Sequence, residues 1–306
     1  KQCYKNMIVE NGIIMAIGNN NLLEDDLYKD TCFDEIIDLE GKTVLPGFFD
    51  SHLHLISTFL HEIAINFEHA NSINDVLDII ATYPKKYDAP VVLGKRLSEF
   101  NLKERRLPTR KELDTVAKDF PIIISSIEFH TVLMNSYAMN LFNIPFTTEG
   151  FEKDAFNSFT GIIKNRGAFL ALKKAYELLD EKAHLKGSAE TFNRAIQHGV
   201  TTMVTVEGGP LFHTKHPEIL LNNRKNFPID VELLYSTTDL KKVLKFGLPR
   251  VGGDLFLDGS FRSQNAAMFT PYKDSINNIG TLFFTYKELV EFISHAHDLD
   301  LQVAIH

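Results

Sequence analysis

At 306 residues, 44% hydrophobic and 24% charged, the chain is long enough to bury a sizeable core and has the composition of an ordinary soluble globular protein. A net charge of −8, with no basic run longer than Lys85-Lys86 or Arg105-Arg106, argues against a general nucleic-acid binder. No apolar run approaches the ~18 residues that span a bilayer, and the opening KQCYKNMIVENG lacks the apolar centre of a signal peptide.

Residues 1–43 carry short apolar runs (Met7 to Val9, Ile13 to Ile17, Ile36-Ile37) broken by Asn11-Gly12, Gly18-Asn19 and Gly41, which is hairpin patterning. Two or three strands rarely hold together alone, so this segment reads as a piece of a small β-sandwich. Its cysteines, Cys3 and Cys32, lack metal-type spacing, and a reduced cytoplasmic protein is a simpler expectation than a disulfide. The next stretch, VLPGFFDSHLHL over 44–55, reads as a buried strand (Val44, Leu45, Phe48, Phe49) running into His52 and His54. In a strand, side chains at i and i+2 share a face, so the two imidazoles stand side by side as a chelating pair for zinc or a similar ion. The same spacing is also compatible with two histidines that merely close a strand end.

Residues 56–185 do not repeat regularly. A helix over 74–83, capped by Ser72 or Asn74, strands over 90–93 and 121–127, and a helix over 110–116 introduced by Pro108-Thr109 make a mixed segment. From 186 onward helices and strands alternate, the pattern of a parallel sheet covered by helices. The expected helices span 188–198, 218–226, 239–246 and 286–299, and the expected strands span 200–206, 229–235, 254–257 and 302–305. With 44–50 these give five parallel strands, whose ends carry His52 and His54, Glu207, Asp258 and His306. Functional groups of such barrels gather at that face, and a closed barrel has eight strands. The predicted fold is therefore α/β, a partial TIM-like (β/α)8 barrel of strands 1–5, with its C-terminal part absent.

Five stretches carry a family resemblance: GKTVLPGFFDSHLHL (41–55), ERRLPTRKELD (104–114), FHTVLMNSYAM (129–139), LFLDGSFRSQNAAMFTPY (255–272) and the final LQVAIH. In this order they resemble the amidohydrolase superfamily, and the DGS segment with its PY pair resembles the family-three, YtcJ-like branch. The resemblance implies that 56–185 is an inserted α+β domain over the active-site mouth, and that residues 186–306 hold strands two to five. It also implies that His52 and His54 bind a first metal, and that His306 binds a second or the same ion. Relatives often bridge two metals with a carbamylated lysine on strand four. Asp254 stands at that place, as a bridging carboxylate or as a solvated turn residue after Gly252-Gly253, and Lys164 is a weaker alternative. His130 matches a histidine beside the substrate pocket, with a satisfied structural histidine as the other reading. Asp258, Ser260 and Arg262 are expected to line the mouth, although Arg262, Gln264 and Asn265 depart from the branch's usual DGSLGSRTAA.

The implied activity is hydrolysis of a non-peptide carbon–nitrogen bond by hydroxide generated on a divalent metal, with zinc the first choice and one or two ions. Alternatives are a mononuclear aminohydrolase or deaminase, and a non-catalytic amidohydrolase-like scaffold. The implied partner is a small-molecule substrate, with no nucleic acid and no membrane; a homo-oligomer stays open. The catalytic residue implied by the resemblance, an aspartate at the end of strand eight, is not in this sequence, so the 306 residues alone are expected to be inactive.

Overall fold

The computed structural model describes residues 3–19, 22, 26–83, 90–126, 130–209, 213–259, 261, 264–273 and 275–306. Two compact units emerge, Lys1–Pro46 and Gly47–His306. In the first, β1 (Asn6–Glu10) pairs antiparallel with β2 (Ile13–Gly18). The intervening Asn11 and Gly12 both have positive φ, 51° and 78°, as a two-residue hairpin requires. The expected third run, Ile36-Ile37, is exposed and forms no strand, so the described residues of this unit build one hairpin. Val44 and Leu45, expected to be buried in the first barrel strand, lie in this unit, exposed and outside any strand.

The second unit begins with β3 (Phe48–Leu53), α1 (Leu55–Ile63), β4 (Ile65–Asn66), α2 (Ile73–Thr82), β5 (Val92–Lys95), α3 (Arg110–Asp114), β6 (Ile122–Ser125) and β7 (Thr131–Met134). It continues with α4 (Ser136–Phe142), β8 (Phe151–Lys153), β9 (Phe159–Lys164), α5 (Asn165–Tyr176) and α6 (Glu181–Leu185). The alternating part is α7 (Ser188–Gln197), β10 (Val200–Gly208), α8 (His216–Asn223), β11 (Asp230–Ser236), α9 (Leu240–Lys245), β12 (Arg250–Gly252), α10 (Tyr286–Asp298) and β13 (Gln302–Ala304). Several starts are fixed locally by reciprocal caps: Ser72 with Asp75, Thr109 with Glu112 and Thr285 with Glu288 each satisfy backbone N–H groups that a helix leaves free.

Two sheets result. One is a five-stranded sheet in the order β13-β12-β11-β10-β3, parallel throughout. The other, six-stranded and mixed, has the order β4-β5-β6-β7-β9-β8. One continuous core joins them: Leu55, Ile56 and Phe59 of α1 pack with Ile123 and Met134 of the mixed sheet and Met203, Val231 and Val251 of the parallel one. Phe59 meets Phe192 of α7 edge to face, ring centroids 5.5 Å apart. The helix α1 thus lies between the sheets, and its first residue follows His54 directly. Phe48 and Phe49 were expected to be buried, yet they are 64% and 59% exposed. Their strand is an edge of the parallel sheet, so it has a neighbouring strand on one side only.

The fourth parallel strand also departs from expectation. It is β12, ahead of 254–257, and it ends where Gly252 (φ 101°) and Gly253 (φ 95°) take conformations that L side chains rarely adopt. The apolar alternation of 254–257 continues beside the last strand in irregular form, with Leu257 N–H donating to the His306 carbonyl and His306 N–H to the Leu255 carbonyl. A Cβ at Gly252 would collide with the Ala304 carbonyl of β13, and one at Gly253 would lie 2.6 Å from Val206 Cγ1. The pair therefore turns the chain off β12 at a place where no side chain fits. Gly252→Ala is expected to cost about 2–3 kcal/mol in urea denaturation, from disallowed backbone and lost β12–β13 pairing; an unchanged midpoint would show that the turn tolerates a side chain.

Candidate metal centre

The turn after β12 delivers Asp254 to the two histidines at the end of β3. His54 Nε2 lies 3.1 Å from Asp254 Oδ2, and His52 Nε2 lies 3.6 Å from Asp254 Oδ1. The two imidazoles stand edge to face, centroids 5.6 Å apart. One ligand atom from each of His52, His54 and Asp254 falls within 4.8 Å of the others. Asp254 is 7% exposed and faces the two histidines, so it is not a solvated turn residue. His52, by contrast, is half-exposed, which leaves one side of the cluster open to solvent.

His54 is set by its neighbours on both sides. It is the N-cap position of α1, and its Nδ1 donates to the Val206 carbonyl at 2.8 Å. That bond puts the proton on Nδ1 and leaves Nε2 with its lone pair, directed at Asp254. A lone pair facing a carboxylate at 3.1 Å is repulsive unless a proton or a cation lies between them. In the metal-free protein the proton fills that role. Burial works to lower the His54 pKa, but the hydrogen bonds to Asp254 and Val206 outweigh it and hold the imidazole above its ordinary value. Burial likewise works to raise Asp254, and the His54 contact outweighs it and holds the carboxyl low.

The start of α1 is capped from β10 because His54 itself supplies no capping side chain. Thr205 Oγ1 accepts from Leu55 N–H at 3.0 Å, and Glu207 Oε1 accepts from Ile56 N–H at 3.0 Å. Glu207, expected among the groups converging on the metal, is wholly buried and turned to this task instead. Its second oxygen, Oε2, accepts from His216 Nδ1 at 3.1 Å.

The other expected residues lie outside that trio. His306 is not among the three whose ligand atoms cluster. Its ring lies 4.6 Å from that of Phe256, and its Nδ1 is 3.7 Å from Asp258 Oδ1, although it is near enough to favour the charged form of Asp254. Asp258 is partly buried and accepts from Ala267 N–H at 2.9 Å through Oδ2. His130 sits at the entry to β7 in the mixed sheet, edge to face with Phe169 of α5. Lys164, the alternative bridge, ends β9 of the mixed sheet and pairs with Glu152 at 2.8 Å. Ser260 and Arg262 lie outside the described residues. A second histidine cluster, His184, His213 and His216, was not anticipated. The spacing His213-x-x-His216 is visible in the sequence, but nothing local announces its third member.

The amidohydrolase family profile matches residues 35–306. The chain belongs to this family. Its family-three branch, read above from the DGS segment, is the branch that matches. The chain is similar to the exoenzymes regulatory protein AepA of Pectobacterium carotovorum subsp. carotovorum, 25% identical over 98% of this chain and 69% of AepA. A shorter alignment, 29% identical over 46% of this chain and 26% of the relative, links it to an N-substituted formamide deformylase of Arthrobacter pascens. The crystal structure of an uncharacterized metal-dependent hydrolase from Pyrococcus furiosus superposes with a TM-score of 0.76 at 25% identity, covering 98% of this chain and 62% of that one. The amidohydrolase chain described here thus spans roughly two thirds of the length of AepA and of the P. furiosus protein. Among the described residues no helix is long and apolar enough to cross a membrane.

The proton between His54 and Asp254 gives a signed pH dependence. With the His54 pKa raised, its stabilising contribution is complete below the unfolded value of about 6.5, down to the acid range where Asp254 is protonated, and is lost as pH rises through the raised value. For metal-free protein, the stability difference between wild type and Asp254→Asn in urea is expected to be larger at pH 6 than at pH 8.5. Saturating zinc reverses that order, because the metal replaces the proton and binds better as pH rises. His54→Ala is expected to weaken zinc binding by ~100-fold or more in competition with a chelator.

Proposed function

We propose that this amidohydrolase is a metal-dependent hydrolase of a non-peptide carbon–nitrogen bond, acting on a small molecule. The observation that carries the proposal is the convergence of His52, His54 and Asp254 at one end of the parallel sheet, with a solvent-facing side. The donor set fits a divalent ion of the zinc class: two imidazoles and a carboxyl group are common zinc ligands, and three protein ligands with an open position are the mark of a catalytic site. A bound ion would supply Lewis-acid polarisation of the substrate carbonyl and a nucleophile at neutral pH. The chain's own residues do the positioning. Val206 fixes the His54 tautomer, Gly252-Gly253 bring Asp254 into reach, and the half-exposed His52 borders the side from which a substrate enters. His306 and Asp258, 3.7 Å apart, are further candidates for a second ion or for substrate contacts.

The deformylase relative supports formyl or acyl amines as the substrate class. A second reading has support from the donor count: three clustered ligands suffice for one ion, which suits a mononuclear aminohydrolase. The test is amine release from N-formyl and N-acetyl amines, and ammonia release from cyclic amidines, by zinc-loaded protein. Amine release that falls at least ~100-fold in Asp254→Asn is the expected result; ammonia release instead favours the second reading, and undiminished activity in Asp254→Asn overturns the three-ligand site.

A further inference from the structure

The second histidine cluster lies behind the sheet end, where α6, the N-terminus of α8 and the end of β10 meet. His184 is 1%, His213 6% and His216 0% exposed. Their ring centroids form a nearly equilateral triangle with sides of 5.3, 5.2 and 5.2 Å. A point equidistant from all three is about 3.0 Å from each centroid. An ion at zinc–nitrogen bonding distance of ~2.0–2.1 Å sits about 3.2 Å from the centroid of a ligating imidazole, so the triangle has the size such an ion needs.

The proton inventory points the same way. His184 Nδ1 donates to the Asp180 carbonyl at 2.8 Å, and His216 Nδ1 donates to Glu207 Oε2 at 3.1 Å. Both rings therefore hold their proton on Nδ1 and a lone pair on Nε2. Each Nε2 is enclosed and has no hydrogen-bond partner among the described residues. An orphaned buried acceptor costs about 1–3 kcal/mol, and two of them in one cluster need an explanation. The carboxyl–imidazole pair of Glu207 and His216, and the carbonyl–imidazole pair of Asp180 and His184, are the outer-shell arrangement that orients metal-ligating histidines. His213 Nδ1 accepts from Lys215 N–H at 3.1 Å. Ligation by His213 through Nε2 places its proton on Nδ1 and exchanges that contact for the metal bond.

We infer that His184, His213 and His216 form a buried structural site for a divalent transition-metal ion of the zinc class, separate from the His52–His54–Asp254 cluster. The ligand type, imidazole only, selects zinc, cobalt or nickel over magnesium and calcium, which prefer oxygen. Enclosure makes the site structural: the ion ties α6 and α8 to the end of β10 and has no side open to a substrate. This inference does not depend on the proposed hydrolase activity.

The experiment uses the 306-residue protein carrying His52→Ala and His54→Ala, which removes the solvent-facing cluster at partly exposed positions. The variant is stripped with chelator, titrated with Co²⁺ and Zn²⁺, and followed by elemental analysis, Co²⁺ visible absorption and thermal unfolding. The expected result is one retained equivalent of metal, a four- or five-coordinate cobalt spectrum and a melting temperature several degrees higher with metal than without. Adding His213→Gln is expected to abolish the retained equivalent, with the far-ultraviolet circular dichroism unchanged. If that triple variant fails to fold, the double variant still decides. A folded double variant that retains no metal and shows no thermal shift overturns the inference and leaves the triangle as the seat of a buried water.

Discussion

The arrangement depends on the buried carboxyl group of Glu207. One oxygen accepts from Ile56 N–H and from the Thr205 hydroxyl, the other from His216. A helix starts with N–H groups that nothing inside it can satisfy, and a start buried against a sheet must find acceptors elsewhere. Here β10 provides them, and so α1 is fixed over the end of the strand with His54 as its first flanking residue. Remove the carboxyl group and several buried donors lose their partner at once, which is among the short list of changes that destabilise severely. The adjacent residue on the same strand, Val206, gives its carbonyl to His54. Two neighbouring positions of one strand thereby orient one histidine in each cluster.

The two clusters differ in what surrounds them, and the difference assigns their roles. Around His52, His54 and Asp254 there is a carboxyl group inside the cluster and solvent on one side, so an ion held there keeps a position for substrate. Around His184, His213 and His216 the carboxyl group stands behind a ring, the interior is imidazole only, and no residue is more than 6% exposed. Charge follows the same division. Asp254 lies inside its cluster beside both histidines, while Glu207 touches the other cluster only through His216.

Much of this was legible from pattern. Alternating helices and strands after residue 186 announce a parallel sheet, and the ends of β10 and β11 fall close to where the apolar runs stop. The capping residues Ser72 and Thr109 mark helix starts that the structure keeps. What failed did so for tertiary reasons. Phe48 and Phe49 read as buried because apolar residues in a strand usually are, but burial depends on neighbours that a sequence does not display. Glu207 sits at a strand end and has the residue type of a metal ligand; its direction is decided by the helix it caps. The histidine triangle joins residues from α6 and from the start of α8, and sequence spacing cannot bring together groups whose proximity is made by packing.

Asp254 shows how a small misplacement of an element changes the chemistry read from it. Placed at the beginning of a strand, on the strength of the apolar run that follows it, the residue belongs at the wrong end of the sheet and reads as a turn aspartate in water. The glycines before it decide otherwise. Both hold backbone angles closed to other residues, both sit where a Cβ would strike β13 or Val206, and the strand ends at the first of them. Once β12 ends at Gly252, Asp254 follows the carboxyl end of a parallel strand, on the face where His52 and His54 also project. A carboxyl group there, 7% exposed and facing a histidine nitrogen whose proton is held elsewhere, has only a proton or a cation with which to satisfy both partners. The backbone freedom of two glycines is thus the physical origin of the carboxyl group's position, and the metal reading proposed for the site follows from where the strand stops.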